Sequence, residues 1–232
     1  MRNPFRYFNS SPAVIRTAVL LYIRFPLSLR QVEDLLHERG IDISHETVRF
    51  WWNRFGPIFA AELRKRQQRT ARQHIQWRWH LDEVFLRING ERRYLWRAVD
   101  HEGEVLEVYV TKARDRWAAL AFLKGALKRF GLPRTIVTDR LRSYRAALSE
   151  LGIATRQDTT RWLNNRAENS HQPFRRRERS MQRFRSPAAL QKFASVHAAI
   201  HNHFNLDRHL IRRTDFTRHR DAALADWRQI AA

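Results

Sequence analysis

The spacing of apolar residues changes from a helical to a strand-like period near residue 77, and this change restricts most strongly which folds the chain can adopt. Before that point, apolar residues recur at three- and four-residue intervals, as amphipathic helices require. After it, the segment 77–88 is rich in aromatic and β-branched residues and ends at Asn89-Gly90, a strong hairpin signal. The sequence therefore predicts an all-α segment followed by a domain that contains a sheet.

Two helices are predicted before residue 40. Apolar residues at helical spacing indicate the first over residues 13–25, where Pro26 follows. Ser28 and Gln31 form a capping-box pattern at the start of the second helix, and Gly40 ends it.

A third helix is predicted to begin after Ser44, which can cap it, and to end near Phe55 because a Gly-Pro pair follows. A helix, a turn that contains glycine and a further helix form the outline of a helix-turn-helix, whose later helix enters the major groove of DNA. A small helical bundle without a role in DNA binding is the alternative interpretation. The groove-facing candidates are His45, Thr47, Arg49 and Asn53.

The remainder of the chain predicts a mixed α/β domain with the element order βββαβ at its start. The predicted elements are strands over 77–88, 93–99 and 105–110, a helix between Asp115 and Gly131, a buried strand over 135–138, a helix over 142–151, a weak strand near 153–155 and a helix from about Asn165. In this order the first and fourth strands can be parallel neighbours, because the crossover helix returns the chain.

Three carboxylates are then expected to converge. Asp82 lies within the first strand, Asp139 at the end of the fourth, and Glu168 near the start of a late helix. Clustered carboxylates repel one another and lose solvation, and Mg²⁺ or Mn²⁺ relieves both costs. Each acid also has an ordinary explanation: exposure for Asp82, a turn cap for Asp139, and a capping box with Asn165 for Glu168. Glu83 is left outside the metal set, because neighbouring strand residues point to opposite faces.

The charge balance predicts a polyanionic partner. The 232 residues carry 44 Lys and Arg against 23 Asp and Glu, a formal charge of +21. The chain has no cysteine, which excludes disulfides and thiolate metal sites. The apolar run over 18–23 is bracketed by arginines and is too short for a membrane span, so we expect a cytoplasmic protein without membrane partners.

An arginine cluster follows the late helix, with six arginines and one glutamate between residues 175 and 185. Arginine forks suit bidentate phosphate contacts, so Arg175, Arg176, Arg177 and Arg179 are predicted to bind the DNA backbone. A solvated helical face is the alternative. His171 lies three residues after Glu168 and can orient a phosphate or a water near the metal site.

Three segments carry a resemblance to a known family. Trp79-His-Leu-Asp-Glu, Ile136-Val-Thr-Asp139 and Leu163-Asn-Asn-Arg-Ala-Glu168-Asn-Ser-His171 resemble the DDE transposases of bacterial insertion sequences, within which the chain is similar to the insertion sequence six family. The resemblance implies a ribonuclease-H-like mixed sheet flanked by helices, after a small all-α helix-turn-helix domain. The expected segments are a DNA-binding domain over 1–60, a basic linker helix over 61–76, a catalytic domain over 77–205 and a basic tail over 206–232.

The resemblance also implies a chemistry. Asp82, Asp139 and Glu168 would hold two Mg²⁺ or Mn²⁺ ions for cleavage at terminal inverted repeats and strand transfer by transesterification. The partners would be double-stranded DNA, as transposon ends and target, in a homodimer or larger assembly in the bacterial nucleoid. Two other functions stay open: a non-catalytic helix-turn-helix regulator, and a ribonuclease-H-like nuclease that cuts without joining.

Overall fold

The computed structural model describes residues 3–71, 77–160, 163–181, 184–205 and 211–231. Its helices are α1 (Pro12–Arg24), α2 (Leu29–His37), α3 (His45–Ala71), α4 (Arg116–Phe130), α5 (Arg142–Glu150), α6 (Asn165–Ser180), α7 (Pro187–His203) and α8 (Arg213–Arg228). Its strands are β1 (Arg78–Ile88), β2 (Glu91–Val99), β3 (Val105–Thr111), β4 (Thr135–Val137) and β5 (Gln157–Asp158).

The chain divides into two units, and each is discontinuous in sequence. The helical unit comprises Met1–Lys65, Arg177–Gln182 and Ala199–Ala232. The sheet unit comprises Arg66–Arg176 and Arg183–Ala198. Among the described residues, no helix has the length and apolar character needed to cross a bilayer.

The starts of the first helices follow their predicted caps. The Ser11 hydroxyl accepts a hydrogen bond from the Val14 amide before α1, and Ser28 and Gln31 form a complete capping box at α2. The Ser44 hydroxyl accepts from the Thr47 amide at 3.3 Å before α3. The predicted helix-turn-helix outline of α2, turn and α3 is therefore present in the backbone.

The predicted end of the third helix is wrong. α3 continues through Pro57 to Ala71, and Phe55, Phe59 and Leu63 lie on one buried stripe along it. A proline inside a helix costs about 3 kcal/mol, whereas each fully buried large apolar side chain contributes about 1.5–3 kcal/mol. Tertiary packing of this stripe therefore outweighs the local stop signal. Residues 72–76 of the predicted linker lie outside the described residues.

The two ends of the chain meet in the core of the helical unit. The ring of Phe59 packs edge-on against Trp227 of α8 at 5.4 Å between centroids, and Phe5 lies 6.2 Å from Phe59. Arg16 is buried and donates from its Nε to the Ile230 carbonyl at 2.7 Å. Burial of Trp227 makes the segment after residue 212 part of this core, although its composition indicated only a basic tail.

The sheet unit is built on one mixed sheet with the strand order β3-β2-β1-β4-β5. β1, β2 and β3 form an antiparallel meander, and the Asn89-Gly90 turn joins β1 to β2 with positive φ angles at both residues. β4 pairs with β1 in parallel, with Trp79 opposite Ile136, which confirms the predicted neighbourhood of the first and fourth strands. This mixed sheet with flanking helices is the predicted ribonuclease-H-like fold.

One face of the sheet carries the main apolar core of this unit. Trp79, Leu81 and Trp96 are fully buried there against α4 and α5, and the Tyr144 ring packs edge-on against Trp96 at 5.4 Å. The core residues alternate along β1, so Asp82 projects to the opposite face.

The weak fifth strand was misplaced by the prediction. Residues Ala154–Arg156 form a turn of 3₁₀ helix, and the strand is the polar pair Gln157–Asp158 beside β4. Two polar residues at a sheet edge carry no apolar alternation, so the pattern gave no signal for them.

Candidate active site

Parallel pairing of β1 and β4 brings two of the predicted carboxylates together. Asp82 lies within β1, and Asp139 lies two residues after the end of β4. One ligand oxygen from each of Asp82, Glu83 and Asp139 lies within 4.8 Å of the others. Residues 57 positions apart therefore share one site.

Asp82 is held from the sheet and from α6. The His171 Nδ1 lies 3.3 Å from the Asp82 Oδ2. Arg97 is opposite Asp82 on β2, is 2% exposed, and donates from Nη2 to the Ser170 carbonyl at 2.9 Å. Burial lowers the pKa of Arg97 to about 10, and the charge of Asp82 opposes that change, so the guanidinium stays charged at neutral pH.

His171 contacts Asp82 as a neutral imidazole. Burial, followed by the charges of Arg97 and Arg175, lowers the pKa of His171 to about 3. Among the described residues, the buried Nε2 has no hydrogen-bond partner. The contact orients the Asp82 carboxylate.

Glu83 points to the α4 and α5 face, as strand alternation predicts, but it is not remote from the other acids. Its side chain is 2% exposed, forms an ion pair with Arg114, and accepts from the Tyr144 hydroxyl at 2.9 Å. Burial, and then Asp139, raise the pKa of Glu83, while Arg114 and Tyr144 oppose this. Burial raises the pKa of Tyr144 well above its ordinary value, so the phenol remains a donor.

Asp139 serves both the turn after β4 and the acidic cluster. Its Oδ1 accepts from the Leu141 amide at 3.0 Å, which is the turn cap that its position suggested. Its Oδ2 lies 3.6 Å from the Arg114 Nη2. Arg114 is therefore a cation that contacts two of the three clustered carboxylates.

Glu168 lies on α6, and its side chain is outside the described part of the structure. The backbone around it is anchored at two points. The Asn164 Nδ2 donates to the Leu81 carbonyl of β1 at 2.9 Å, and the Ser170 carbonyl accepts from Arg97 of β2. Residue 168 lies between these anchors, on the helix that supplies His171.

The donor set fits a divalent metal ion. Three carboxylates within 4.8 Å offer hard oxygen ligands, which Mg²⁺ and Mn²⁺ prefer, and their mutual repulsion favours a cation. Prediction from sequence excluded Glu83 and gave no role to Arg114 or Tyr144. No local pattern identifies these two, because Tyr144 and Glu83 are 61 residues apart and meet only in the folded sheet unit.

The predicted groove residues lie in the first turns of α3. Arg49 and Asn53 are exposed, whereas His45 and Thr47 are half-buried. Arg49 pairs with Glu46 at 2.7 Å, and His45 Nδ1 lies 2.8 Å from a Glu33 carboxylate oxygen. Asn53 donates to the Arg49 carbonyl at 2.9 Å.

The four arginines of α6 that were predicted to bind DNA occupy different environments. Arg176 and Arg179 are exposed, and Arg175 is half-buried and donates to the Phe85 carbonyl at 2.8 Å. Arg177 does not fit the predicted phosphate contact, because its side chain is 1% exposed. It donates to the Tyr22 carbonyl at 2.6 Å and its guanidinium lies 4.6 Å from the Tyr22 ring centre.

Comparison with known proteins supplies the family. Residues 76–207 match the DDE domain family. The transposase for insertion sequence-like element IS431mec of Staphylococcus aureus is 33% identical over 181 residues, which cover 76% of this chain and 79% of that protein. The transposase of IS257 in transposon Tn4003, also from Staphylococcus aureus, shows the same identity and coverage.

A solved structure shows a weaker similarity. The HTLV-2 integrase catalytic core domain in complex with magnesium, in its trimeric form, is 14% identical, with a TM-score of 0.42 over 60% of this chain and 91% of that chain. The family match covers more than half of the chain, and the staphylococcal transposases match most of it. The chain therefore belongs to the DDE transposases of bacterial insertion sequences, in the insertion sequence six family.

Proposed function

We propose that this transposase cleaves DNA at the terminal inverted repeats of its insertion sequence and joins the freed 3′ end to target DNA. The observation that carries the proposal is the convergence of Asp82 and Asp139 from two parallel neighbouring strands, with ligand oxygens within 4.8 Å. Glu168 is proposed as the third ligand, because α6 also supplies the His171 contact to Asp82.

Two Mg²⁺ or Mn²⁺ ions are proposed for this site. When bound, divalent ions would activate a water or a 3′ hydroxyl as nucleophile and would stabilise charge at the phosphorus. The protein's own groups set the ligand geometry. His171 contacts Asp82, and Tyr144 and Arg114 fix the Glu83 carboxylate on the other side of β1. Glu83 is thereby committed to internal contacts, so we assign it a positioning role.

DNA recognition is proposed for the first 60 residues, as a helix-turn-helix whose third helix enters the major groove through Arg49 and Asn53. Both side chains are exposed in the first turns of α3. The catalytic domain is proposed over residues 77–205. Because two transposon ends must be held together, we propose at least a homodimer on double-stranded DNA, acting at the bacterial nucleoid.

A joining assay tests the proposal. The purified protein is incubated with Mg²⁺, a target plasmid, and a duplex that carries the candidate terminal repeat with a precleaved 3′ end. We expect joined product from the wild type, none from Asp82→Asn or Asp139→Asn, and a reduced amount from Glu83→Gln. The reverse order, with Glu83→Gln inactive and Asp82→Asn active, would show that the metal ligands are assigned incorrectly.

The same assay separates the two other functions. Binding of end DNA with no metal-dependent product would support a non-catalytic regulator. Cleavage of an intact end without any joined product would support a nuclease that lacks strand transfer.

A further inference from the structure

A cavity of about 560 Å³ lies in the sheet unit near the starts of β1 and β4, and the proposed function does not use it. It is lined by residues at or just before the starts of β1, β4 and α6 and by His101 between β2 and β3; these include Trp77, Arg78, His80, Arg134, Leu163 and Arg166. Its volume falls within the range of about 300–1,000 Å³ that is usual for small-ligand sites.

The charge of the cavity selects an anion. Arg78, Arg134 and Arg166 contribute three exposed guanidinium groups, and no carboxylate is present among the described residues that line it. Guanidinium groups bind phosphate oxygens through paired hydrogen bonds.

The cavity also offers an aromatic surface. Trp77 is 60% exposed, although its main-chain carbonyl is fixed by the Thr135 amide at 3.0 Å. The Arg134 guanidinium lies 5.5 Å from the centre of the Trp77 ring. An exposed indole on a fixed backbone, beside a cation, is the arrangement on which unpaired bases stack in proteins that bind single strands.

A buried histidine forms part of the cavity wall. His80 is 5% exposed, and its Nδ1 has no hydrogen-bond partner among the described residues. Buried polar atoms without partners are rare in folded proteins.

We propose that this cavity binds one unpaired nucleotide, with its base on Trp77 and its phosphate between Arg78, Arg134 and Arg166. The proposal rests on the proposed function for the source of the nucleotide, which is a DNA strand next to the reacting phosphate. His80 and Asp82 are two residues apart on the same face of β1, about 7 Å along the strand. Trp77 is five residues from Asp82, about 17 Å along the strand. Stacked nucleotides are about 3.4 Å apart, so the cavity spans roughly two to five nucleotide steps from Asp82.

The test compares two exposed tryptophans of the sheet unit. Binding of a short, end-labelled single-stranded oligodeoxynucleotide to the full chain is measured by fluorescence anisotropy in EDTA. We expect Trp77→Ala to weaken binding roughly 5- to 100-fold, the loss of one stacked base, and Trp77→Phe to retain most of it. Trp117→Ala is the matched control, because Trp117 is 58% exposed and has the Arg116 guanidinium 4.2 Å from its ring centre. Equal effects of Trp77→Ala and Trp117→Ala, or no effect of either, would overturn the proposal.

A second pair of variants tests the phosphate contact. Arg134→Gln is expected to weaken binding and to reduce the slope of log affinity against log salt by about 0.7, the value for one phosphate contact on a single strand. Arg145→Gln removes an exposed charge from α5 outside the cavity. It should change the affinity by less than about twofold and leave the salt slope unchanged, since an exposed charge away from the strand makes no phosphate contact.

Two further arms identify the source of the nucleotide. Duplex DNA of the same sequence should bind Trp77→Ala and wild type alike, because its bases are paired, and an equal loss on duplex would overturn the proposal. A free nucleotide would be the ligand instead if two results were found together. The Trp77→Ala variant would lose binding of dAMP, and it would bind the oligonucleotide as tightly as the wild type. Failure of the proposed function appears separately, as a wild-type protein that gives no metal-dependent joined product.

Discussion

The Arg114 Nη2 lies 3.6 Å from the carboxylate of Asp139, a proposed metal ligand, and pairs with the neighbouring Glu83, so removal of the Arg114 charge should tighten metal binding. The Glu83 side chain is 2% exposed and the Arg114 side chain 40% exposed. A hydrogen-bonded ion pair of this kind contributes about 1.5–3 kcal/mol, and the exposure of Arg114 places it near the lower end, at about 1.5 kcal/mol. A divalent ion bound to Asp139 would lie beside the positive charge of Arg114, so the two cations compete for the same acidic cluster.

Arg114→Gln should therefore bind Mg²⁺ up to about tenfold more tightly, since 1.4 kcal/mol corresponds to a factor of ten. In EDTA the same variant should be less stable than the wild type by about 1–2 kcal/mol, because three neighbouring carboxylates lose their cation. Saturating Mg²⁺ should close that gap, since a ligand that binds only the native state stabilises it according to its affinity.

Urea denaturation of both proteins in EDTA and across a Mg²⁺ titration measures these quantities without DNA or turnover. Arg116→Gln is the control, because this neighbouring arginine lies on the Trp117 ring and not on the carboxylates. If the Mg²⁺ concentration that gives half of the stabilisation is the same for Arg114→Gln as for the wild type, or higher, Arg114 does not compete with the metal ion and the reasoning is refuted.

Three other measurements address the remaining parts of the structure. Burial, and then the charge of Asp100, raise the pKa of Glu104 from 4.5 to about 7, so the native state favours the protonated acid. Stability should fall by on the order of 2 kcal/mol as pH rises through this window, and Glu104→Gln should abolish that loss in denaturation at each pH. Arg176→Ala with Arg179→Ala should reduce the salt slope of duplex binding by about two, whereas Arg177→Met should lower the unfolding free energy by about 1–3 kcal/mol, because the Tyr22 carbonyl loses its donor. An unchanged salt slope would show that Arg176 and Arg179 do not contact DNA phosphates. Trp227→Ala should cost about 3–5 kcal/mol of stability in urea denaturation, and a loss below 1 kcal/mol would contradict its place in the core.

Local signals in the sequence predicted the local structure well. The capping box at Ser28, the Asn89-Gly90 hairpin and the Asp115 cap of α4 each form as their residue types indicated. The pairing of Asp82 with Asp139 was also predictable, because the βββαβ order allows few positions for the fourth strand. Element order therefore located the two aspartates of the site.

Contacts between distant residues were not predictable in the same way. The burial of Phe59 carries α3 past Pro57, and the Tyr22 carbonyl takes Arg177 out of an apparently exposed basic cluster. Arg114 joins the acidic cluster although nothing near it in sequence indicates a partner. The contacts of Arg177 and Arg114 join residues that are far apart in sequence. The continuation of α3 depends on tertiary packing, which overrides the local stop signal at Pro57.

The discontinuity of the helical unit has a consequence for how this protein is made and handled. Residues at both ends of the polypeptide share one core, through Phe59 with Trp227 and Arg16 with Ile230. During synthesis, the first helices leave the ribosome long before α8 exists to cover them. The nascent N-terminal segment therefore stays incomplete until α8 has been translated, and deletion of α8 should damage the packing of the first helices.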